Sequence, residues 1–329
     1  ELIMADEAFR KFYEAELAGS LDEIRRIRAQ HARTSKRAAF VILIIFLILG
    51  VLLFAAPEDF SLLVLLGLGG CVVAWIICLF CYFGGGKEKR AFKEIVVPQI
   101  IKFFDPSLEF HPDRMVPSKL YDLSGLFAQE WDDYDGEDFV SGFYKGVEVM
   151  FSELKTEYET ESTDDEGNTT RTTHTIFDGV FFVADFHKDF KYRTYVLPDV
   201  AEKYFGKLLG GFFQKCNVFQ SGKLIKLENV EFEKEFAVYA DDPVEARYIL
   251  SPLLMERLLV LRKRFACPLQ IAFVDSCMFI AISTKEDFFE LSSLKNFDIT
   301  VAEHCKNELE MFLKIVEELN LDRRIWSKQ

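Results

Sequence analysis

The densest group of side chains able to do chemistry is the run Glu130-Trp131-Asp132-Asp133-Tyr134-Asp135-Gly136-Glu137-Asp138. Carboxylates gathered around a glycine are the donor set that a hard cation such as calcium takes. The spacing of the helix–loop–helix calcium site is not met, because the twelfth position counted from Asp133 is Tyr144 and not Glu. No metal is assigned. Two readings remain open: a solvated loop, or a partner-binding patch carried by Trp131, Asp133 and Asp135.

Five histidines are present, and none stands in a His-Glu-x-x-His pattern or at zinc spacing from a cysteine. His187, just past Asp185 at the end of an apolar run, has the best claim to a site. A strand-end histidine with no ligand is the alternative. Asp189 and Asp199 are further polar residues to inspect. Arg247 lies in a capped, otherwise apolar helix, where it reads either as a fold-stabilising ion pair or as a ligand-binding guanidinium. No Gly-x-Ser-x-Gly elbow occurs, and Ser141-Gly142 and Ser221-Gly222 read as turns. Gly84-Gly85-Gly86 lacks the Gly-Lys-Ser/Thr of a phosphate loop and reads as a hinge or helix end. No catalytic residue and no cofactor is assigned.

The elements that would position these groups follow from composition and periodicity. The chain has 329 residues, 34 of them Phe, and a formal charge of -14. That balance argues against nucleic acid as a partner, since phosphate binding needs a basic face. Seven cysteines at irregular spacing suit a reducing compartment better than a disulfide framework.

Ala38 to Ala56 is a run of 19 residues without a charge, and Phe60 to Phe83 is a second run of 24. At about 1.5 Å per residue the first covers roughly 28 Å, close to the hydrocarbon thickness of a bilayer. Only Pro57, Glu58 and Asp59 separate the two. The pattern predicts a transmembrane helical hairpin over 38–86, with helices at about 38–56 and 60–83. Arg25, Arg26, Arg28, Arg33, Lys36 and Arg37 precede it, and Lys87, Lys89, Arg90 and Lys93 follow. The positive-inside rule places both termini in the cytosol. The basic stretch is also suited to contact with anionic headgroups. Gly67, Gly69 and Gly70 suit close packing within the hairpin or between copies of the chain. Neither run carries an ionisable side chain, so the hairpin reads as an anchor and not a conduit.

Residues 1–37 read as a cytosolic helical segment. Met4 to Leu17 forms one helix, and the capping box Ser20-Leu21-Asp22-Glu23 opens a second. Residues 87–104 read as a juxtamembrane stalk helix, kinked at Pro98 and packed beside the N-terminal helix. Residues 105–329 read as a cytosolic domain. In it, 139–157 alternates as a strand, 172–186 is a central strand, and the polar stretch 159–171 is the mobile tip of their hairpin. A helix over 199–209, strands at 223–228 and 235–240, helices opened by Asp242 and Ser251, a hairpin over 269–282 and a last helix capped by Thr300 complete it. The fold class is α+β with a mainly antiparallel sheet.

The stretch Phe177-Asp178-Gly179-Val180-Phe181-Phe182-Val183-Ala184-Asp185-Phe186 matches the central strand of a known family. Its second signature is matched by Lys226-Leu227-Glu228, by Phe232 to Tyr239, and by Asp242-Pro243-Val244-Glu245-Ala246-Arg247 through Pro252 to Leu258. Together, over roughly residues 90–290, the chain resembles the uncharacterised bacterial membrane proteins grouped as domain of unknown function 3137. The resemblance implies a protein of the bacterial cytoplasmic (inner) membrane and a protein partner of the LemA type. It implies no activity. The expected function is a membrane-anchored binding or scaffold module, with a membrane-tethered enzyme using dispersed polar residues as the alternative.

Overall fold

The computed structural model describes residues 2–55, 66–67, 69–70, 72–77, 86–163, 167–199, 223–290, 298–319 and 321. They form two compact units. One comprises residues 1–99 and 290–303, the other residues 100–289 and 304–329.

In the first unit, α1 (Leu2–Phe12) passes through one π-helical turn, Tyr13–Leu17, into α2 (Ala18–Ala55), with no break at Ser20. The capping box is therefore not used. The Ser20 hydroxyl instead faces the Gln99 side chain at 3.1 Å, which places it between helices and not at a helix start. α3 (Gly86–Ala91) passes through a second π-helical turn, Phe92–Val96, into α4 (Val97–Phe104). In that turn the Val97 amide reaches back to the Phe92 carbonyl. The irregularity sits just ahead of Pro98, which has no N–H to continue the ladder. Leu17, Leu21, Ile24, Phe92 and Val96 are buried, and α2 packs against α3 and its π turn, as expected for the two basic helices.

Among the described residues no helix is long and apolar enough to cross a membrane. The described side chains of α2 end at Val51, and the run 60–83 lies largely outside the described residues. A side chain on Gly67 would meet Leu49 of α2 at 3.4 Å, whereas at Gly69 and Gly70 it would meet nothing within 4 Å among the described residues.

The second unit is α+β. Its described strands form one nine-stranded sheet in the order β1-β2-β3-β4-β9-β8-β5-β7-β6, with every ladder antiparallel. The strands are β1 (Glu109–His111), β2 (Asp133–Tyr144), β3 (Val147–Thr163), β4 (Thr169–Asp185), β5 (Thr194–Pro198), β6 (Lys223–Ile225), β7 (Phe236–Ala240), β8 (Leu269–Val274) and β9 (Cys277–Ser283). Helices α5 (Ser118–Ser124), α6 (Val230–Glu235), α7 (Pro243–Ile249), α8 (Pro252–Phe265) and α9 (Ile299–Glu318, whose first turns belong to the first unit) are interspersed.

Several sequence expectations are corrected here. The span 139–157 is not one strand. It turns at Lys145 and Gly146, both with positive φ, and becomes the β2–β3 hairpin. Asp133 to Asp138 is not a solvated loop but the start of β2. The polar stretch 159–171 is largely paired, because β3 and β4 stay in register out to Thr163 and Thr169. Gly142 is no turn: it lies inside β2 against the backbone of Ser107. Strand 223–228 is shorter, ending at Ile225, and is followed by α6, which Asn229 caps by accepting from the amides of Glu231 and Phe232. Asp298, not Thr300, takes the capping role at α9. Beyond Asp199, the helix expected at 199–209 lies outside the described residues.

Two faces of β4 explain its unbroken apolar run. Phe181 and Val183 join Tyr121, Leu126, Leu197 and Phe279 in one core layer. Phe182 stacks on Phe151, whose ring lies 5.3 Å from Phe312 of α9. A strand buried on both faces has no use for alternation.

Candidate functional site

The sheet positions one acidic cleft in the second unit. Its volume is about 720 Å³, and it is walled by the β1–α5 loop, by β2, β3 and β4, and by residues 284–287 after β9. Antiparallel pairing sets the floor. Asp135 opposes Lys155, and Lys155 opposes Asp178 on the next strand, while Glu137 opposes Glu153 one step along. Asp113, Glu286 and Asp287 close the rim, so seven carboxylates and two lysines, Lys155 and Lys285, line the space.

Two glycines let the strands come together under these charges. A side chain at Gly136 would run into the backbone oxygen of Glu153. At Gly179, with φ +148°, one would run into the backbone oxygen of Ile282. These are close approaches that only a residue without Cβ permits.

Glu153 accepts a hydrogen bond from the Phe288 amide at 2.6 Å, which fixes the segment after β9 against β3. Asp138 is buried, has φ +60°, and donates its backbone N–H to the Pro112 carbonyl at 3.0 Å. Lys155 Nζ lies 2.9 Å from Glu157 Oε1. The hydrogen bond and charge of Glu157, with Asp178 and Asp133 adding, raise the lysine above its ordinary pKa, so it stays a cation. One oxygen each from Glu137, Asp138 and Glu153 lie within 4.8 Å of one another. Oxygen donors at that spacing are what a hard divalent cation takes, but acidic side chains also cluster without one. A cleft of this charge concentrates cations and basic segments at its mouth.

The structure scatters the candidates read from sequence. Asp135 lines the cleft, with Oδ1 accepting from the Gly136 amide at 2.9 Å. Asp133 sits on β2 opposite Glu157. Trp131 is drawn into packing: its Nε1 donates to Asp122 at 3.1 Å and its ring lies 5.1 Å from Tyr134. Asp185 and His187 build a turn at the end of β4. Asp185 accepts from the His187 amide at 3.0 Å and lies 2.9 Å from its Nδ1, and His187 has φ +55°. They end β4 seven residues beyond Asp178, about 23 Å along the strand. Arg247 is exposed and faces the carbonyls of Pro243 and Lys226 at 3.4 Å. Among the described residues no carboxylate pairs with it.

Glu153, Asp178 and the 284–287 segment were not singled out from sequence. The turn at Lys145-Gly146 by itself sets a register that pairs Glu137 with Leu154, and only the bulge between Glu137 and Val140 moves Glu137 opposite Glu153. None of the described cysteines is a poised nucleophile. Burial pushes the thiols of Cys267, Cys277 and Cys305 upward, Cys305 most of all.

Comparison with known proteins gives a family and one distant likeness. Residues 175–321 match the family described as "Protein of unknown function (DUF3137)", and this stretch takes in both signatures quoted above. No curated protein matches the chain significantly. The crystal structure of the mycobacterial trehalose monomycolate transport factor A is similar over 61% of this chain and 88% of that one. The identity is 7% and the TM-score 0.32, too low for any argument about fold or function.

Proposed function

We propose that the chain is a membrane-anchored binding or scaffold module. In this reading a two-helix hairpin holds the α+β unit at the cytosolic face of the bacterial inner membrane, with both termini in the cytosol. The observation that carries it is α2, a single helix from Ala18 to Ala55. Its middle is basic, and from Phe40 to Val51 nine large apolar side chains point outward, Val51 at 70% exposure and Phe40 at 63%. Soluble proteins do not leave such a surface in water. The second run adds Leu66, Val72, Val73, Trp75, Ile76 and Ile77, also exposed.

The binding surface is the acidic cleft. Its floor is rigid β-structure, and its charge selects a cationic partner, a protein segment of the LemA type implied by the family resemblance among the choices. The test is alkaline extraction of membranes, followed by affinity purification in mild detergent of the wild type and an Asp135→Asn/Asp178→Asn/Glu286→Gln variant. The chain is expected to resist extraction, and its partner to be lost from the variant. Release of the wild type by alkali would remove the anchor.

The alternative is a membrane-tethered enzyme. It draws on the same cleft, where Glu137, Asp138 and Glu153 converge. Turnover of a small molecule by the α+β unit, abolished by Glu153→Gln, with no partner recovered, would select it.

A further inference from the structure

We propose that Arg33, Lys36 and Arg37 form a binding site for the headgroups of anionic phospholipids. The inference rests on the anchor reading and goes beyond it, because an anchor alone has no lipid preference.

The structure separates the basic residues that flank the apolar runs into two kinds. Lys89 and Lys93 are both committed to Glu290, at 2.7 and 3.1 Å, and Arg90 reaches Glu94 at 2.7 Å. Arg25 pairs with Asp22 at 2.6 Å. Arg33, Lys36 and Arg37 are exposed, and among the described residues none has an ion-pair partner. No acidic residue occurs between Glu23 and Glu58, so α2 offers none within two turns of the triad.

Their placement is as informative as their freedom. At about 100° per residue the three side chains fall within an arc of roughly 100°. Ser35, which is buried, lies roughly 160° from Arg33 on the opposite side of α2. The triad therefore faces away from the packed side of the helix. Along the axis the three stand about 1.5 to 7.5 Å before Ala38, where the apolar run begins. The headgroup layer on each side of the hydrocarbon is about 5–7 Å thick. The triad falls at that level. Arg25, Arg26 and Arg28 stand about 15–20 Å before Ala38, which leaves them about 8–13 Å outside that layer, at or beyond a Debye length of about 8 Å. Three unpaired cations at phosphate depth, next to an uncharged helix, are suited to lipids bearing net negative charge. A guanidinium fork adds paired hydrogen bonds to phosphate oxygens.

The experiment reconstitutes the full chain in phosphatidylcholine bilayers. Spin-labelled phosphatidylglycerol or spin-labelled phosphatidylcholine is added, and the motionally restricted fraction of each is read by electron paramagnetic resonance. Wild type is expected to restrict the anionic probe several-fold more than the zwitterionic one. Arg33→Gln/Lys36→Gln/Arg37→Gln is expected to bring that ratio close to one, each charge contributing up to about fivefold. Arg25→Gln/Arg26→Gln/Arg28→Gln is expected to keep it. Equal restriction of both probes by wild type, or equal losses in the two triple variants, would overturn the headgroup site while leaving the anchor intact. Restriction of neither probe would overturn the anchor and the site together.

Discussion

The carboxylate of Glu290 stands 3.1 Å from Nζ of Lys93, a lysine only 7% exposed. The pair ties the chain just after the sheet to the π turn that follows α3. Lys89 completes a fork on the same carboxylate at 2.7 Å. Burial alone would raise the Glu290 pKa, but hydrogen bonds and charge from the two lysines outweigh it and hold it low.

Glu290→Gln is expected to destabilise the first unit by roughly 3 kcal/mol, because it strips a buried ammonium of its counter-charge. Glu290→Gln combined with Lys93→Met is expected to recover most of that loss, since an apolar replacement of both partners removes the desolvation cost as well. Urea unfolding with hydrogen exchange read in α3 checks both. A single variant as stable as wild type would show that the pair contributes nothing.

The pH dependence follows from the same groups with opposite signs. Glu290 and Glu317 are held below the ordinary value of 4.5. In each, burial pushes up but is outweighed, at Glu317 by Lys145 and Tyr144. Their stabilisation is fully present above pH 4.5 and is lost as pH falls through the depressed folded values. Glu318 is raised, chiefly by burial, so its ionisation works against the fold and acidification relieves it. Unfolding midpoints measured downward from about pH 6 should fall more steeply below about pH 4.5 in wild type than in Glu290→Gln/Glu317→Gln. Glu318→Gln should flatten the profile at higher pH.

Gly179→Ala is expected to cost more than about 2 kcal/mol, because a Cβ there meets the backbone of Ile282 at a φ that side chains avoid. Gly136→Ala should behave similarly through the Glu153 carbonyl. Gly19→Ala is the opposite case. Nothing lies within 4 Å of a methyl group there, and the position is helical, so a gain of up to about 1 kcal/mol is expected. Thermal unfolding of the three variants measures the contrast.

His187 is a turn residue on this structure, and its variants should say so. His187→Asn keeps stability to within about 0.5 kcal/mol, because Asn tolerates left-handed backbone. His187→Val should lose about 2 kcal/mol. Asp185→Ala should lose about 1–2 kcal/mol with the hydrogen bond to the His187 amide. A partner-binding defect in His187→Asn at unchanged stability would restore the histidine to a functional role.

Period and capping chemistry made much of the fold legible. Asp242 and Ser251 cap α7 and α8 where their side chains predict, because capping is decided within three or four residues. The apolar face of α9 through Val301, Cys305, Leu309, Phe312 and Val316 is buried as its spacing implies. The β2–β3 hairpin was missed because Lys145-Gly146 is a weak turn signal inside an alternating run. The pairing of 159–163 with 169–173 was missed because polar residues carry no burial signal, although their backbone ladder continues.

By itself the sequence determined what depends on neighbours along the chain: the α+β class, the family resemblance, the uncharged runs with their basic flanks, and the absence of any local catalytic motif. Which charges face each other was decided only by the tertiary structure. Glu137 meets Glu153 through strand register, and Lys93 meets Glu290 across almost two hundred positions of chain. Electrostatic partnership depends on distance in space and on the water between groups. The same basic residue count therefore resolves into lysines already satisfied by Glu290 and a triad, Arg33, Lys36 and Arg37, left open.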